Sequence, residues 1–195
     1  EIYTLSLHDA LPIWFSMKEE SSLEMLLFQA MQLYEVQTLE PFLADPDWRV
    51  RRQAAMKIQL HGGAWGFNLA KRLRQSAKPV LRGMSMFLLG QMKGGNPPFV
   101  QQGLPLLIDA LENDPSPYVR NEAAAALGHI DAPESIKALV KASTDPFDEV
   151  RASTAFALNN SALKNHPLVQ KALKRLRRDR SKSVRYWSED DSSVD

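Results

Sequence analysis

One short pattern recurs along this chain and constrains its fold more than any other feature. Asp45-Pro-Asp-Trp-Arg-Val50-Arg51, Asp114-Pro-Ser-Pro-Tyr-Val119-Arg120 and Asp145-Pro-Phe-Asp-Glu-Val150-Arg151 share the form Asp-Pro-x-x-x-Val-Arg. A degenerate copy runs from Leu81-Arg82 to Leu89, and a fifth starts at Asp179 and reaches Val184-Arg185. The arginines stand at 51, 82, 120, 151 and 185, with spacings of 31, 38, 31 and 34 residues. Self-similarity at a period of roughly 20–50 residues marks stacked supersecondary units.

Each part of the pattern has a physical task. An Asp side chain accepts a bond from an orphan amide at a helix start, and Pro suits the first helical turn. Val50, Ala54, Ala55 and Ile58 then share one helical face, as do Val119, Ala123, Ala124 and Leu127, and Val150, Thr154, Ala155 and Leu158. Small residues in the middle of that face let neighbouring helices approach closely. Helical periodicity also fills the intervening segments, roughly 36–44, 64–75, 98–113, 133–143 and 166–178, and Asp131-Ala-Pro-Glu134 reads as a capping box. The unit is therefore helix, turn, Asp-Pro-capped helix, loop, with no alternating strand pattern. The predicted fold is all-α, an α-solenoid of about five helical hairpins.

The Asp-Pro-x-x-x-Val-Arg-x-x-Ala-Ala-x-x-Leu pattern resembles the HEAT repeat in its short bacterial, phycobilisome-lyase-like form, over about residues 36–187. Gln59-Leu-His-Gly-Gly63, Phe87-Leu-Leu-Gly-Gln-Met92 and Val150-Arg-Ala-Ser-Thr-Ala-Phe-Ala-Leu158 are similar to segments of YibA-like enterobacterial HEAT-repeat proteins. The resemblance implies a right-handed superhelix and, for the YibA-like group, an association with Rhs-type polymorphic toxins and their immunity genes. It also implies that the repeated arginine pairs with an Asp of an adjacent repeat in an internal ladder. The members would be Asp45, Arg51, Arg82, Asp114, Arg120, Asp145, Arg151 and Arg185, with a break expected at Arg82 because Ser76 stands where an Asp belongs.

The two ends depart from the pattern. Residues 1–13, EIYTLSLHDALPI, match residue for residue the translation of a sequencing-library adapter. After Arg185-Tyr186-Trp187 the core positions give way to Ser188, Glu189 and Ser192. The expected organisation is a non-native or disordered leader over 1–16, one solenoid domain over 17–187, and a polar tail over 188–195, read either as truncated or out of frame or as the polar cap a solenoid needs.

Composition limits the chemistry. The absence of cysteine rules out a disulfide scaffold, a Cys-based zinc or iron–sulfur site and a thiol nucleophile. His8, His61, His129 and His166 are the only histidines, and no metal or cofactor site is expected. No nucleotide loop, nucleophile elbow or His-Glu-x-x-His motif occurs. His61 has no orienting carboxylate within residues 48–93, and Asp145, Asp148 and Glu149 read as stabilising acids at a helix start. The sequence reading is therefore of a chain that is not an enzyme.

Charge is blocked along the sequence. Residues 17–47 carry net −6, residues 48–93 have ten cations and no acid, residues 109–149 carry net −6 and residues 165–185 net +7. In a solenoid such blocks become bands, which favour a charged, specific partner. By register, the concave face is expected to present Arg52, Gln53, Met84, Phe87, Asn121, Glu122, Ser153 and Phe156, with Tyr186 and Trp187 in the last copy. Aromatic, Met and Arg side chains are favoured interface anchors. The function expected is a non-enzymatic cytoplasmic scaffold whose concave face binds one protein partner, sharpest as a toxin-immunity protein. The alternative is nucleic-acid binding of the DNA alkylation-repair kind through the basic blocks. A bilin-lyase-like enzyme ranks last. No membrane partner is expected, and the oligomeric state is left open.

Overall fold

The computed structural model describes residues 22–61, 63–91 and 97–189, and within these every regular element is helical. The adapter-like stretch, the rest of the leader and residues 190–195 of the tail lie outside the described residues. Helix α1 (Ser22–Gln32) leads into a 3-10 helix (Val36–Ala44), then α2 (Trp48–His61), α3 (Gly63–Leu73), α4 (Pro79–Gln91), α5 (Pro97–Asn113) and α6 (Pro117–Ile130). A single 3-10 turn (Pro133–Ser135) precedes α7 (Ile136–Ala142), followed by α8 (Asp148–Asn159), α9 (Pro167–Leu176) and α10 (Lys182–Ser188). The hairpins are the first 3-10 helix with α2, then α3/α4, α5/α6, α7/α8 and α9/α10. They are the five units expected from the repeat spacing.

The second helices form the spine. α6 packs along α4 on one side and α8 on the other, and α8 packs on α10, while α2 meets α4 only thinly. The predicted small faces are buried: Ala54, Ala55 and Ile58, then Ala123, Ala124 and Leu127, then Val150, Ala155 and Leu158 are all fully enclosed. Two glycines set the distance. A Cβ on Gly90 would sit 2.6 Å from the Cβ of Ala126, and one on Gly128 would sit 2.6 Å from that of Ala157. These contacts involve the facing backbone, so successive spine helices touch almost chain to chain.

Local chemistry differs from the expectation at the turns. Each Asp stands three residues before its helix, outside the N-cap. Asp45 accepts from the amide of Asp47, Asp114 from Ser116, Asp145 from Phe147 and Asp179 from Ser181, at 2.8–3.0 Å. These are Asx turns, which fix the approach to the helix and occupy only one carboxylate oxygen. Asp131 is not part of a capping box. It closes α6 in the left-handed region at φ 53°. Its carboxylate reaches into the next hairpin, accepting from the Ser161 hydroxyl at 2.8 Å and the Ala162 amide at 3.0 Å. The first element of the first hairpin is 3-10 and contains Pro41, whose ring nitrogen offers no donor to an α-helical ladder.

α1 carries no copy of the motif. It lies on α2, held by two buried charges of that helix. Arg52 pairs with Glu24 at 3.1 Å, both buried. Lys57 donates to the carbonyls of Met31 and Gln32 at 2.9 Å each and to that of Tyr34. A buried ammonium on the last carbonyls of a helix satisfies acceptors that the helix leaves open.

Candidate functional site

The repeated arginines build one device several times. Arg82 donates through Nε and Nη2 to the two carboxylate oxygens of Asp114, at 2.8 and 2.9 Å. Arg120 grips Asp145 in the same way at 2.8 and 3.1 Å, and Arg151 grips Asp179 at 2.7 and 2.9 Å. The remaining nitrogen, Nη1, turns back to the carbonyls of its own turn: Ser76 and Ala77 for Arg82, Asp114 and Pro115 for Arg120, Asp145 and Pro146 for Arg151. A planar guanidinium can do both at once because its donors form a rigid fork. Each arginine is thus tethered to its own turn and clamps the turn of the following hairpin.

These rungs are partly buried and perturb their own ionisation. Burial alone would raise the Asp114 carboxyl; the Arg82 fork and the Ser116 amide outweigh it and hold the group below the usual carboxylate range. The Arg151 fork holds Asp179 low in the same way, and its own guanidinium is held above the ordinary arginine value in return.

The direction of pairing corrects the expected break. Arg82 is paired, because the rung runs to the following hairpin and Asp114 is there to receive it. The missing Asp at Ser76 instead leaves Arg51 open. Its Nη1 is tethered to the carbonyls of Asp45 and Pro46 at 2.7 and 2.9 Å, but its Nε is buried without a partner. Arg185 is tethered to the carbonyls of Asp179 and Arg180 with no carboxylate on its fork among the described residues. Asp45 accepts from the Asp47 amide and meets no repeat arginine across a junction. Asp179, absent from the expected ladder, is a full member of it. Its spacing of six residues from Arg185 repeats that of Asp145 from Arg151 and was the signal available.

The expected concave face is not an open surface. Arg52, Gln53, Met84, Phe87, Asn121, Glu122 and Ser153 are all buried. The spine helices come so close that these positions meet one another across the junctions, as where the Ser153 hydroxyl donates to Asn121 at 2.6 Å. Phe156 is half-buried and meets Trp187 edge-on at 5.7 Å, and Trp187 meets Tyr186 at 4.7 Å. Of the ten residues named, Tyr186 alone is exposed, at 65%. Glu122 is the most anomalous of the set. Burial pushes its carboxyl up to about 8, countered in part by the charge of Arg51, and its Oε2 has no hydrogen-bond partner.

The charge blocks fare unequally. Within 48–93, Arg49 pairs with Asp47, Arg52 with Glu24, Arg72 with Glu40, Arg74 with Asp109 and Arg82 with Asp114. Lys57 is buried on carbonyls, so little of that block faces solvent as free charge. The 165–185 block keeps its charge outside: Lys171, Lys174, Arg178, Arg180 and Lys182 are exposed and make no ion pair among the described residues. A third kind of surface went unpredicted. Leu23, Met25, Leu26 and Phe28 of α1, with Leu33 and Tyr34 after it, are exposed, Leu26 at 61% and Leu33 at 89%. The only charge in α1, Glu24, points inward.

The described residues contain no group of three or more His, Cys, Asp or Glu placed to hold a metal. His61 and His129 are exposed near the ends of α2 and α6, and His166 is the N-cap of α9, accepting from the Leu168 amide at 3.3 Å. No described helix is long and apolar enough to cross a membrane.

A family model described as HEAT repeats matches residues 68–159. Three curated relatives are named deoxyhypusine hydroxylase; the one from Mus musculus is 29% identical over 137 residues, 68% of this chain and 43% of the relative. The chain thus spans less than half the length of the curated relatives it matches. Among solved structures, the X-ray structure of Escherichia coli YibA aligns with a TM-score of 0.77 at 24% identity, over 88% of this chain and 62% of that one. The CpcE–CpcF complex of phycocyanin lyase from Nostoc aligns with a TM-score of 0.63 at 20% identity, over 78% and 95%. The relatives named for a hydroxylase overturn the expectation that the chain is not an enzyme. That expectation rested on the lack of familiar motifs, and a repeat fold does not by itself decide whether a chain is catalytic. The match over residues 68–159 shows HEAT repeats within this chain, and the repeated motif and five stacked hairpins give it the architecture of an all-α helical-repeat solenoid.

Proposed function

We propose that this chain is a helical-repeat scaffold that binds a protein partner through its α1 end, and that the partner is a toxin domain which it neutralises. The observation that carries the reading is the inverted polarity of α1. Its single charge is buried against α2, and four large apolar side chains face outward beside Leu33 and Tyr34. Monomeric proteins rarely leave such a patch open, and a contiguous one marks an interaction surface. The occupant is an amphipathic helix of the partner. The exposed residues of α1 carry no charge, which suits the apolar face of such a helix. The toxin-linked version of the reading rests on the resemblance of Gln59–Gly63, Phe87–Met92 and Val150–Leu158 to YibA-like proteins.

The test is a titration of the purified chain with the toxin domain encoded beside its gene. The expected results are a stoichiometric complex by light scattering, loss of toxicity on co-expression, and loss of both in a Met25→Asp, Leu26→Asp variant with unchanged Tm. Full affinity in that variant, or no complex with the wild-type chain, contradicts the proposal.

One observation favours a second reading. The exposed cations on and after α9, in no ion pair among the described residues, offer a basic surface suited to a phosphate backbone. On that reading duplex DNA binds, its affinity falls steeply between about 50 and 200 mM salt, and Lys171→Ala with Lys174→Ala removes it.

A further inference from the structure

The ladder has one internal rung with an arginine and no acid, and the geometry points to an anion-binding site there. A small carboxylate or an anion of similar size, held by the Arg51 fork beside Ser76, completes the first rung of the stack.

The argument begins from equivalence of position. Ser76 follows Arg51 by 25 residues, the same separation as Asp145 from Arg120. It stands three residues before α4, as each Asp stands before its own helix, and its carbonyl accepts from Arg82 as the Asp114 carbonyl accepts from Arg120. Its hydroxyl takes the amide two residues on, that of Lys78 at 3.2 Å, as the aspartates do. Ser76 therefore reproduces the turn and lacks the carboxylate that the preceding arginine clamps elsewhere.

The donor side is in place. Nη1 of Arg51 is tethered to the Asp45 and Pro46 carbonyls, which orients the fork as in the three closed rungs. Nε is buried with nothing to receive its hydrogen. A guanidinium stays charged at any ordinary pH, and a buried donor left unmade is penalised by more than a formed bond returns. The two acids that feel the Arg51 charge are not on its fork: Asp47 is held by Arg49, and the Glu122 Oε2 has no hydrogen-bond partner. Glu40, across the junction, is engaged by Arg72. Lys78, exposed and in no ion pair among the described residues, adds a second positive charge beside Ser76. The packing is loose at this junction: α2 meets α4 only thinly, and an open groove of about 630 Å³ lies alongside, lined by Thr38, Glu40, Ala44, Leu73 and Leu81 among others but by neither Arg51 nor Ser76.

Formate is the probe, replacing gluconate at constant ionic strength, with Tm as the readout. The expected result is a saturable rise of about 2–4 °C in the wild-type chain. Ser76→Asp supplies the carboxylate covalently, so this variant has a higher Tm in gluconate and no response to formate. Arg51→Lys, which keeps the charge and loses the fork, also responds no further. Crystals grown in bromide are expected to give an anomalous peak within hydrogen-bond reach of Arg51 Nε. An equal formate response in wild type and Ser76→Asp is a general salt effect and overturns the proposal. So does no response in the wild type, or bromide found only elsewhere on the surface.

Discussion

Glu122 sits at the register position that Gln53 holds in the first hairpin, Met84 in the second and Ser153 in the fourth, and all four are buried. Of the four, only Glu122 is an acid. Its carboxyl is ordinary in the unfolded chain, near 4.5, and about 8 in the folded one. Between those values the folded state holds the extra proton, so this group makes stability fall as pH rises through the window and leaves it lower above pH 8. The rungs act with the opposite sign at lower pH. Asp114 and Asp179 are held below the ordinary range, so their contribution is complete above it and is lost as pH falls through their folded values. Glu122→Met, which copies the second hairpin, is expected to flatten the pH profile between about 4.5 and 8. It should add on the order of 2 kcal/mol near pH 8, read by urea unfolding across pH. An unchanged slope in that window would show that Glu122 does not hold its proton there. None of this was legible in the letters. Register placed Glu122 on a face, and only the close approach of α6 to its neighbours, set by Gly90 and Gly128, encloses it.

At the scale of elements, the two kinds of segment were readable to different degrees. The first helices were predicted at 64–75, 98–113 and 166–178 and occupy Gly63–Leu73, Pro97–Asn113 and Pro167–Leu176. Apolar periodicity in a helix that faces a core on one side is a strong signal. The role of each Asp was misjudged because an Asx turn and an N-cap use the same residue types, and only the helix start separates them. α1 was missed because it carries no motif. It depends on what α2 sends it: the Arg52 guanidinium and the Lys57 ammonium, both of which the sequence presents as members of a basic block. Lys57→Met should therefore loosen α1 and little else. Hydrogen exchange in residues 22–32 is expected to quicken by about 10- to 100-fold, equivalent to roughly 1–3 kcal/mol, while α6 and α8 keep their protection. Equal loss of protection across the spine would assign Lys57 to the general core instead.

For the whole molecule, the arginine period announced a stack of about five units, and the stack is there. The chain order of the ladder followed from the resemblance, but its direction did not, so the break was placed one arginine too late. The direction matters because it decides which junction is weak. The Arg82, Arg120 and Arg151 rungs tie the second hairpin to the third, the third to the fourth and the fourth to the fifth. The first junction has Arg51 without a carboxylate, thin contact between α2 and α4, and an open groove beside it. In a quasi-one-dimensional array, stability is a sum of unit and neighbour terms, so a weak junction opens first. The measurement that tests this most directly is native-state hydrogen exchange under rising urea, read segment by segment. The account predicts that α1, the 3-10 helix and α2 open together at a lower free energy than α6 and α8, and that Ser76→Asp narrows the gap. A single opening free energy shared by α2, α6 and α8, unaffected by Ser76→Asp, would contradict it.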